Sequence, residues 1–346
     1  MNLLKSDIIP SPLQIVPIDF VSGRNIRLFL KRDDLLHNYF QKILFRDGNL
    51  TPSVSGNKFR KVKYNLLYME KMAINRLLTF GGAFSNHIHA TAAAGQIFGF
   101  ETIGVIRGER TEPLSPTLRF AEECGMHLHF VNREDYRDKE LLMNTLKAQI
   151  SDFYYLPEGG TNALAMRGTA EIVGEIEQQL NGISPDFICT SCGTGGTIAG
   201  IISAIKKPTQ VLGFSALKGG FLQQEVTDLL GIRKKDIYTE GSSFEILEEK
   251  KMGEINKSNN NWSINTDFHF GGYARWTPEL INFINDFKQK NDVPLDPIYT
   301  GKMMFGIYKL IEKGYFPENS TIVAVHTGGL QGIEGFNQRF GQLINV

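Results

Sequence analysis

The sequence predicts an α/β protein with parallel sheets, and three observations support this prediction. Short apolar segments rich in β-branched residues alternate with helix-like segments along the 346 residues. These apolar segments are hydrophobic almost throughout, which is typical of parallel strands that helices cover on both faces. Most of them end in glycine or a small polar residue. Because functional loops collect at the carboxyl ends of parallel strands, we expect the functional residues to lie there.

The predicted strands and helices follow one another in two series. The strands are RLLTFGG, ETIGVIRG, HLHFVN, FYYLPEGG, DFICTSCG, QVLGFSAL and STIVAVHTGG. The helices include HATAAAGQIFGF, SPTLRFAEECG, GTAEIVGEIEQQLNG, GTIAGIISAIKK and KMMFGIYKLIEKG. One series spans residues 77–153 and the other begins at residue 186, which predicts two sheets with a cleft between them. The polar segment 231–265 is interpreted as surface decoration, and residues 36–54 as an inserted loop.

Composition excludes several classes of function. The 37 Lys and Arg residues balance 37 Asp and Glu residues, so no overall field attracts nucleic acid or an anionic membrane. Three cysteines in a chain of this length suit a reducing compartment. No signal peptide and no membrane-length apolar run is apparent. We therefore expect a soluble cytoplasmic protein that binds neither nucleic acid nor membrane.

The segment Cys192–Thr197, CGTGGT, has the pattern of a phosphate-binding loop. It follows a predicted strand and opens a predicted helix, so backbone N–H groups, the helix dipole and two threonine hydroxyls can converge on an anion. It lacks the Gly-Lys-Ser/Thr ending of a nucleoside-triphosphate loop. No acidic residue ends the next strand, which disfavours a nicotinamide cofactor. A tight turn without a ligand remains the alternative.

Two further strand ends and one further turn carry polar residues. Ser85, Asn86 and His87 crowd a glycine-flanked turn before a helix, where one residue would suffice for capping. Tyr299 and Thr300 lie between proline and glycine in DPIYTGK, although an ordinary turn explains them nearly as well. The fourth turn, HTGG, follows the strand TIVAV. A ligand-facing role and a structural role are both open for each.

Redox and metal sites are disfavoured. Cys189 and Cys192 form a single CxxC with no second pair, and Cys189 lies inside an apolar strand. His87 and His89 have no Asp, Glu or Cys at ligand spacing.

Seven motifs in fixed order resemble one family. KRDD, SGNKxRK, GGxxSNH, LPEGGTNALAxRG, SCGTGGTxAG, DPxYTGK and HTGG resemble the 1-aminocyclopropane-1-carboxylate deaminase and D-cysteine desulfhydrase family of pyridoxal-phosphate enzymes. The resemblance runs from about Leu28 to Gly332. It implies the tryptophan synthase β-like fold (fold type II), the cofactor pyridoxal 5'-phosphate, a small amino-acid substrate and a homodimer. The predicted domains are residues 1–57 with 162–346, and residues 58–161, with the cofactor in the cleft.

The resemblance also implies site residues. Lys58 would form the Schiff base, and a lowered pKa, promoted by burial and a nearby cation, would suit that role. The cofactor-binding residues would be Lys58, Lys61, Asn86, Gly193, Thr194, Gly195, Gly196, Thr197 and Thr300. The substrate-binding residues would be Ser85, Asn86, His87, Tyr273 and Tyr299. The catalytic residues would be Lys58, Ser85, Tyr273 and Tyr299, with Lys58 or Tyr299 as the base.

Thr300 is the most informative of these residues. The resemblance implies that it faces the pyridine nitrogen, where cyclopropane deaminases carry glutamate and desulfhydrases threonine. A hydroxyl there favours β-elimination, so D-cysteine desulfhydration is the predicted activity. Ring opening of 1-aminocyclopropane-1-carboxylate, β-replacement and a non-catalytic cofactor-binding protein are the alternatives. Two features depart from the family pattern on the substrate side: Ala274 follows Tyr273 where glycine is usual, and residues 36–54 are inserted.

Overall fold

The computed structural model describes residues 10–18, 25–36, 54–150, 152–206, 208–231 and 261–345. The strands are β1 (Leu13–Val16), β2 (Arg27–Lys31), β3 (Arg76–Gly82), β4 (Glu101–Arg107), β5 (His127–Val131), β6 (Tyr154–Leu156), β7 (Phe187–Cys192), β8 (Gln210–Ser215), β9 (Trp262–Asn265) and β10 (Thr321–Val325). The helices are α1 (Gly56–Lys71), α2 (Asn86–Phe98), α3 (Pro116–Glu123), α4 (Lys139–Gln149), α5 (Ala163–Gln179), α6 (Gly196–Ala204), α7 (Leu222–Gly231), α8 (Pro278–Asn291), α9 (Thr300–Glu312) and α10 (Gly332–Phe340). Except for its end residues, the predicted insertion 36–54 lies outside the described residues.

The larger sheet has the strand order β1-β2-β10-β7-β8-β9. All pairs are parallel except β1 with β2. Strand β10 is buried at every position, as its apolar sequence TIVAV predicts for a central strand. Helices α8 and α9 contribute to the apolar core on one face, and α5 and α6 to the core on the other. This sheet therefore has helices on both faces, as parallel sheets require.

The smaller sheet has the order β5-β4-β3-β6 and is parallel throughout. Its core includes apolar side chains from α1, α2, α3 and α4. The α/β class with two mostly parallel sheets is thus confirmed. The domain limits at residues 57/58 and 161/162 stay a prediction, although every strand between those limits belongs to the smaller sheet.

Local sequence signals explain where several helices begin. The Oγ atom of Ser85 accepts a hydrogen bond from the backbone N–H of Ile88 at 3.3 Å and so caps α2. Asn162 caps α5 in the same way through the N–H of Ala165 at 2.8 Å. Such caps satisfy backbone donors that have no partner inside the helix. Within the described ranges, no helix combines the length and apolar content that crossing a bilayer requires.

One part of the sequence interpretation was wrong. Residues 231–265 were interpreted as surface decoration, but Trp262–Asn265 form β9, the edge strand of the larger sheet beside β8. An edge strand has a neighbour on one side and is partly exposed, so its residues are more polar than those of a central strand. Residues 232–260 lie outside the described residues.

A buried cluster of ion pairs holds α1 against β2 and α5. The guanidinium of Arg60 donates to Asp33 at 2.7 and 2.8 Å and to Glu175 at 2.7 and 2.9 Å. The ammonium of Lys31 lies 2.7 Å from Glu175. Arg60 is 1 % exposed and Asp33 is fully buried. Because Arg60 lies two residues after Lys58, this cluster fixes the helix that carries the predicted Schiff-base lysine.

We expect Arg60→Met to destabilise the fold by about 3–5 kcal/mol, because the fully buried carboxylate of Asp33 loses its main partner and the partly buried Glu175 keeps only Lys31. Urea unfolding measures the change. Arg110→Met is the matched control: Arg110 also pairs with two glutamates, Glu112 and Glu122, but it is exposed. The control should lose much less stability. Equal losses in both variants would contradict the structural role of the cluster.

Candidate active site

The start of α1 is fixed by close backbone contact with the HTGG turn. Gly56 has φ +67°, and a Cβ atom there would lie 2.3 Å from the carbonyl oxygen of Thr327. The next residue, Asn57, donates its backbone N–H to the same oxygen at 3.1 Å. The glycine of SGNK is therefore required by conformation and by space. It places Lys58 in the first turn of α1, beside the end of β10.

Two lysine side chains, the partly buried Lys58 and the buried Lys61, lie one helical turn apart. The Nζ atom of Lys58 lies 3.3 Å from the carbonyl oxygen of Gly159, and burial lowers the pKa of Lys58 to about 8. The Nζ atom of Lys61 donates to Gly159 at 2.9 Å and to the hydroxyl of Thr161 at 3.0 Å. Burial and the charge of Lys58 lower the pKa of Lys61 well below 10.5.

No carboxylate among the described residues forms an ion pair with either lysine. Two neighbouring cations that are shielded from water and have no anion are costly, so the pair is suited to bind an anionic ligand.

The glycine-threonine loop before α6 lies against Lys61. Gly195 adopts φ +75° and begins α6 without a side-chain cap, so the first N–H groups of the helix are available to an anion. A Cβ atom on Gly196 would lie 2.8 Å from the side chain of Thr161 and 3.0 Å from the Nζ atom of Lys61, so glycine leaves room for both side chains at the loop. The hydroxyl of Thr194 bonds that of Thr161 at 2.7 Å, and Asn57 donates to Thr197 at 2.9 Å. The arrangement is a cradle for a phosphate group.

Asn86 faces a cavity of about 230 Å³. The cavity is lined by Ser55, Asn57, Lys58, Asn86, His89, Ala90, Gly329, Leu330 and Gln331. Gln331 donates to the Oδ1 atom of Asn86 at 3.0 Å. Ser85 caps α2 with its oxygen, and its hydroxyl proton remains available to a ligand. Lys58 and Asn86 thus share one cavity, as the sequence predicts for cofactor-binding residues.

The ring of His87 does not line that cavity. It is 1 % exposed, its Nε2 atom bonds the hydroxyl of Thr79 at 2.8 Å, and a Cβ atom on Gly160 would contact it. Contact between His87 and a substrate would therefore have to use the backbone. His89, which was considered in sequence reasoning only as a metal ligand, lines the cavity instead. It stacks on Phe120 at 3.9 Å, and burial lowers its pKa to about 4, so its ring is neutral.

Tyr299 and Thr300 are held by a carboxylate to which sequence reasoning gave no role. Asp296 accepts hydrogen bonds from the backbone N–H groups of Ile298, Tyr299 and Thr300 at 2.8–2.9 Å. The Thr300 hydroxyl donates to Asp296 at 2.6 Å and accepts from its N–H at 2.9 Å. Thr300 therefore has no proton left for another acceptor. The signal for Asp296 in the sequence was the Asp-Pro pair before a turn. Because this pair is common in ordinary turns, it did not mark Asp296 as a functional residue.

The side chain of Tyr299 lies beside the glycine-threonine loop. A Cβ atom on Gly193 would lie 3.4 Å from its hydroxyl. Burial, with Tyr273, Asp296 and Glu158 nearby, raises the pKa of Tyr299 well above 10. The phenol is consequently neutral at physiological pH.

Tyr273 approaches Tyr299 from a strained loop. The two ring centroids are 6.3 Å apart, at an angle of 67°. Ala274 has φ +53°, in the left-handed region that favours glycine, which explains why glycine suits this position. The departure of this sequence from the family pattern therefore introduces local strain next to Tyr273.

The three cysteines are free, and Cys189 and Cys192 are buried. Burial raises the pKa of Cys192 to about 12, so its thiol is poorly reactive. No group of three or more metal-ligating side chains occurs within the part of the chain that the structure describes.

Comparison with known proteins identifies the family. The profile of the family "Pyridoxal-phosphate dependent enzyme" matches residues 27–328. The chain belongs to this family. The predicted cofactor and the fold type are thereby confirmed. The activity depends on the residues around the cofactor.

Individual relatives agree with this assignment. The enzyme is 29 % identical over 83 % of its length to the mitochondrial bifunctional D-cysteine desulfhydrase/1-aminocyclopropane-1-carboxylate deaminase of Arabidopsis thaliana, covering 72 % of that protein. It is 28 % identical to the D-cysteine desulfhydrase of Klebsiella pneumoniae, over 92 % of both chains. A solved structure described as an ACC deaminase homologue matches 98 % of this chain and 95 % of its own, with a TM-score of 0.74 and 25 % identity.

The site of the enzyme fits pyridoxal phosphate on its own geometry. The phosphate requires an anion cradle, which the first turn of α6 and Lys61 supply. The aldehyde requires an amine with a lowered pKa, which Lys58 supplies. The structure brings the loops of SGNK, GGAFSN, CGTGGT, DPIYTG and HTGG together around these groups, as the resemblance implies. Gly159, Thr161 and Gln331 complete the arrangement and were given no role by sequence reasoning.

Proposed function

We propose that the enzyme catalyses β-elimination from a small amino acid, with D-cysteine as the favoured substrate, giving pyruvate, ammonia and sulfide. The observation that carries the proposal is the pair Lys58 and Lys61, two amines with lowered pKa and without a carboxylate partner among the described residues, beside a phosphate cradle. The names of the Arabidopsis and Klebsiella relatives support the substrate. When bound, pyridoxal phosphate withdraws electrons from the α-carbon of an attached amino acid.

In this proposal Lys58 both carries the cofactor and acts as the base. The sequence left Lys58 and a tyrosinate at Tyr299 open as alternatives. A pKa of about 8 makes the Lys58 amine a competent base near neutral pH, whereas the pKa of Tyr299 well above 10 disfavours its anion. We therefore assign removal of the α-proton to Lys58.

Tyr299 then acts as a neutral phenol. Its hydroxyl lies near Gly193, at the edge of the cradle, and its ring faces Tyr273. A buried phenol with a raised pKa retains its proton and can donate a hydrogen bond to the departing sulfur. Tyr273, 43 % exposed, lies at the outer side of this pair and would face the substrate.

Ser85 is proposed to bind the substrate carboxylate. It lies at the N-terminus of α2, where the helix dipole and free N–H groups favour an anion. Its oxygen already accepts from Ile88, so its hydroxyl proton would be directed to the carboxylate. Asn86, whose Oδ1 atom is held by Gln331, would contribute its amide N–H₂ to the ring oxygen of the cofactor.

The overall reaction is balanced with water. The Cα–H and Cβ–S bonds of cysteine break, sulfur leaves as sulfide, and water supplies the oxygen of pyruvate as ammonia is released. Thr300 favours this outcome, because it would present a hydroxyl rather than a carboxylate to the ring nitrogen. Without a carboxylate partner the ring nitrogen is less readily protonated, which suits elimination more than reactions with a long-lived carbanion.

The second candidate is deamination of 1-aminocyclopropane-1-carboxylate to 2-oxobutanoate and ammonia. It is supported by the bifunctional name of the Arabidopsis relative and by the solved homologue. Thr300 disfavours this second candidate. A further alternative is β-replacement, in which an external nucleophile takes the place of the leaving group on Cβ.

The test is to supply the purified holoenzyme separately with D-cysteine, L-cysteine and 1-aminocyclopropane-1-carboxylate. Pyruvate, 2-oxobutanoate and sulfide are measured in each reaction. We expect pyruvate and sulfide in equal amounts from D-cysteine, and little 2-oxobutanoate. Sulfide without pyruvate, when a second thiol is present, would indicate replacement. Turnover of the cyclopropane substrate alone would reject the proposal in favour of the second candidate.

We further propose that the enzyme is a cytoplasmic homodimer. The homodimer rests on the family resemblance, and the cytoplasmic location rests on the scarcity of cysteine in the sequence. They are predictions about the intact enzyme and do not enter the proposed chemistry.

A further inference from the structure

Lys302 is a buried lysine with no role in the chemistry above. It lies in the first turn of α9, three residues after Tyr299, and is 1 % exposed. Burial lowers the pKa of Lys302 to about 8. None of the described residues forms an ion pair with it. A buried ammonium without a carboxylate needs another set of acceptors.

The acceptors are two backbone carbonyls of the loop that carries Tyr273. The Nζ atom of Lys302 donates to the oxygen of His269 at 2.9 Å and to that of Gly272 at 2.7 Å. The Gly272 carbonyl belongs to the peptide bond that leads directly into Tyr273. The ammonium therefore fixes the backbone immediately before the tyrosine.

This loop is strained and needs an external anchor. Phe270, Gly271, Gly272 and Ala274 all have positive φ, between +53° and +119°. The two that are not glycine are unfavourable in this region, at about 1–3 kcal/mol each. Inside the loop, the N–H groups of Gly271 and Gly272 bond the ring and the carbonyl of His269, respectively. Such local bonds shape the turn; the loop meets α9 through the ring of Phe270, 5.1 Å from that of Phe305, and through the ammonium of Lys302 next to Tyr273.

The same end of α9 holds both tyrosines of the site. Tyr299 immediately precedes the helix, and Lys302 reaches from its first turn to the loop of Tyr273. The ring centroids of Tyr273 and Tyr299 are 6.3 Å apart as a result. A movement of the loop would change this distance without moving Lys58 or the phosphate cradle.

We propose that Lys302 is a positioning residue: its ammonium clamps the strained loop 269–275 to α9 and so sets the place of Tyr273 at the site. The effect of Lys302 on turnover rests on the proposed function. The role of Lys302 in holding the loop in place is independent of that function.

The test uses Lys302→Met and Lys302→Arg in the full-length holoenzyme, with Lys309→Met as the control from the exposed part of the same helix. Trp276 reports on the loop, since it follows Arg275 and packs on Phe336 and Phe340 at 6.1 and 5.8 Å. The second tryptophan, Trp262, is replaced by phenylalanine in all variants. We expect a red-shifted Trp276 emission in Lys302→Met, wild-type emission in Lys302→Arg and Lys309→Met, and an unchanged cofactor absorbance in all three.

A double-mutant cycle tests the link to Tyr273. Lys302→Met should lower kcat by about 10- to 100-fold, as expected for a misplaced catalytic group. In the background of Tyr273→Phe, the same change should lower kcat less than about two-fold, because both substitutions remove one function. Additive effects would reject the role through Tyr273. Wild-type emission of Trp276 in Lys302→Met would reject the clamp, even if D-cysteine proved to be the wrong substrate.

Discussion

Lys58→Ala is expected to abolish the visible absorbance of the enzyme and to reduce turnover by roughly a thousand-fold or more. The amine of Lys58 has a pKa of about 8 and lies in the shared cavity, so it is the group that can attach the cofactor and later accept the α-proton. An absorbance spectrum after reconstitution with pyridoxal phosphate, followed by a pyruvate assay with D-cysteine, measures both effects. An unchanged band would contradict the assignment.

Two neighbouring lysines provide controls for this variant. Lys63→Ala removes a lysine of the same helix that pairs with Glu171 at 2.6 Å, and it should leave the band and the turnover unchanged. Lys61→Ala removes the cation at the cradle, so we expect weaker cofactor binding but a band at saturation. Loss of the band in Lys61→Ala at saturating cofactor would mean that the roles of the two lysines are exchanged.

The pH dependence of cofactor attachment follows from the same pKa. The free amine attacks the aldehyde, and its fraction rises with pH until the pH exceeds about 8. With an ordinary lysine pKa near 10.5, the corresponding rise would occur more than two pH units higher. The rate of band formation in stopped flow should therefore level off above about pH 8 rather than continue to rise to pH 10.

Tyr299→Phe is expected to lower kcat by about 10²- to 10³-fold while the cofactor band remains. The substitution removes a hydroxyl beside Gly193 and keeps the ring that packs against Tyr273. Because the pKa of Tyr299 lies well above 10, ionisation of this tyrosine should cause no change in the wild-type kcat between pH 7 and pH 9. Steady-state kinetics across this range give both results.

The control for this variant is Tyr315→Phe, which removes the hydroxyl of a tyrosine that is 50 % exposed. It should leave kcat unchanged. If Tyr299→Phe retained full kcat, the proton donor would have to be another group. A change in the wild-type kcat caused by ionisation of Tyr299 near neutral pH would instead support the tyrosinate as the base.

The sequence predicted the central strands well because their signals are local. Segments such as TIVAV and FICTSC are mostly apolar and rich in β-branched residues, and they form β10 and β7 in the middle of the larger sheet. Strand β9 was missed because its alternating segment WSIN is only four residues long and was included in a longer polar segment. Ser85 was considered as a cap from the sequence and caps α2, whereas α5 begins at Ala163, five residues before the predicted segment GTAEIVGEIEQQLNG.

The site was predicted through motifs, and its supporting contacts were not. Lys58, Asn86 and the glycine-threonine loop lie far apart in the chain and were joined by the family resemblance. Asp296 and Lys302 received no role, because their partners are backbone atoms whose placement depends on the folded loop. His87 shows the reverse case, since it was predicted to bind substrate. A polar residue at a strand end can direct its ring into the core, and the ring of His87 is bonded there by Thr79.

The central claim is that Lys58 is the amine that holds the cofactor. Reduction of the reconstituted holoenzyme with borohydride, followed by proteolysis and mass spectrometry, tests it most directly, because reduction makes the attachment permanent. We predict that the pyridoxyl mass is found on the peptide containing Lys58 and at that residue. A label on Lys61 or another lysine, or a reduced protein without any label, would contradict the account.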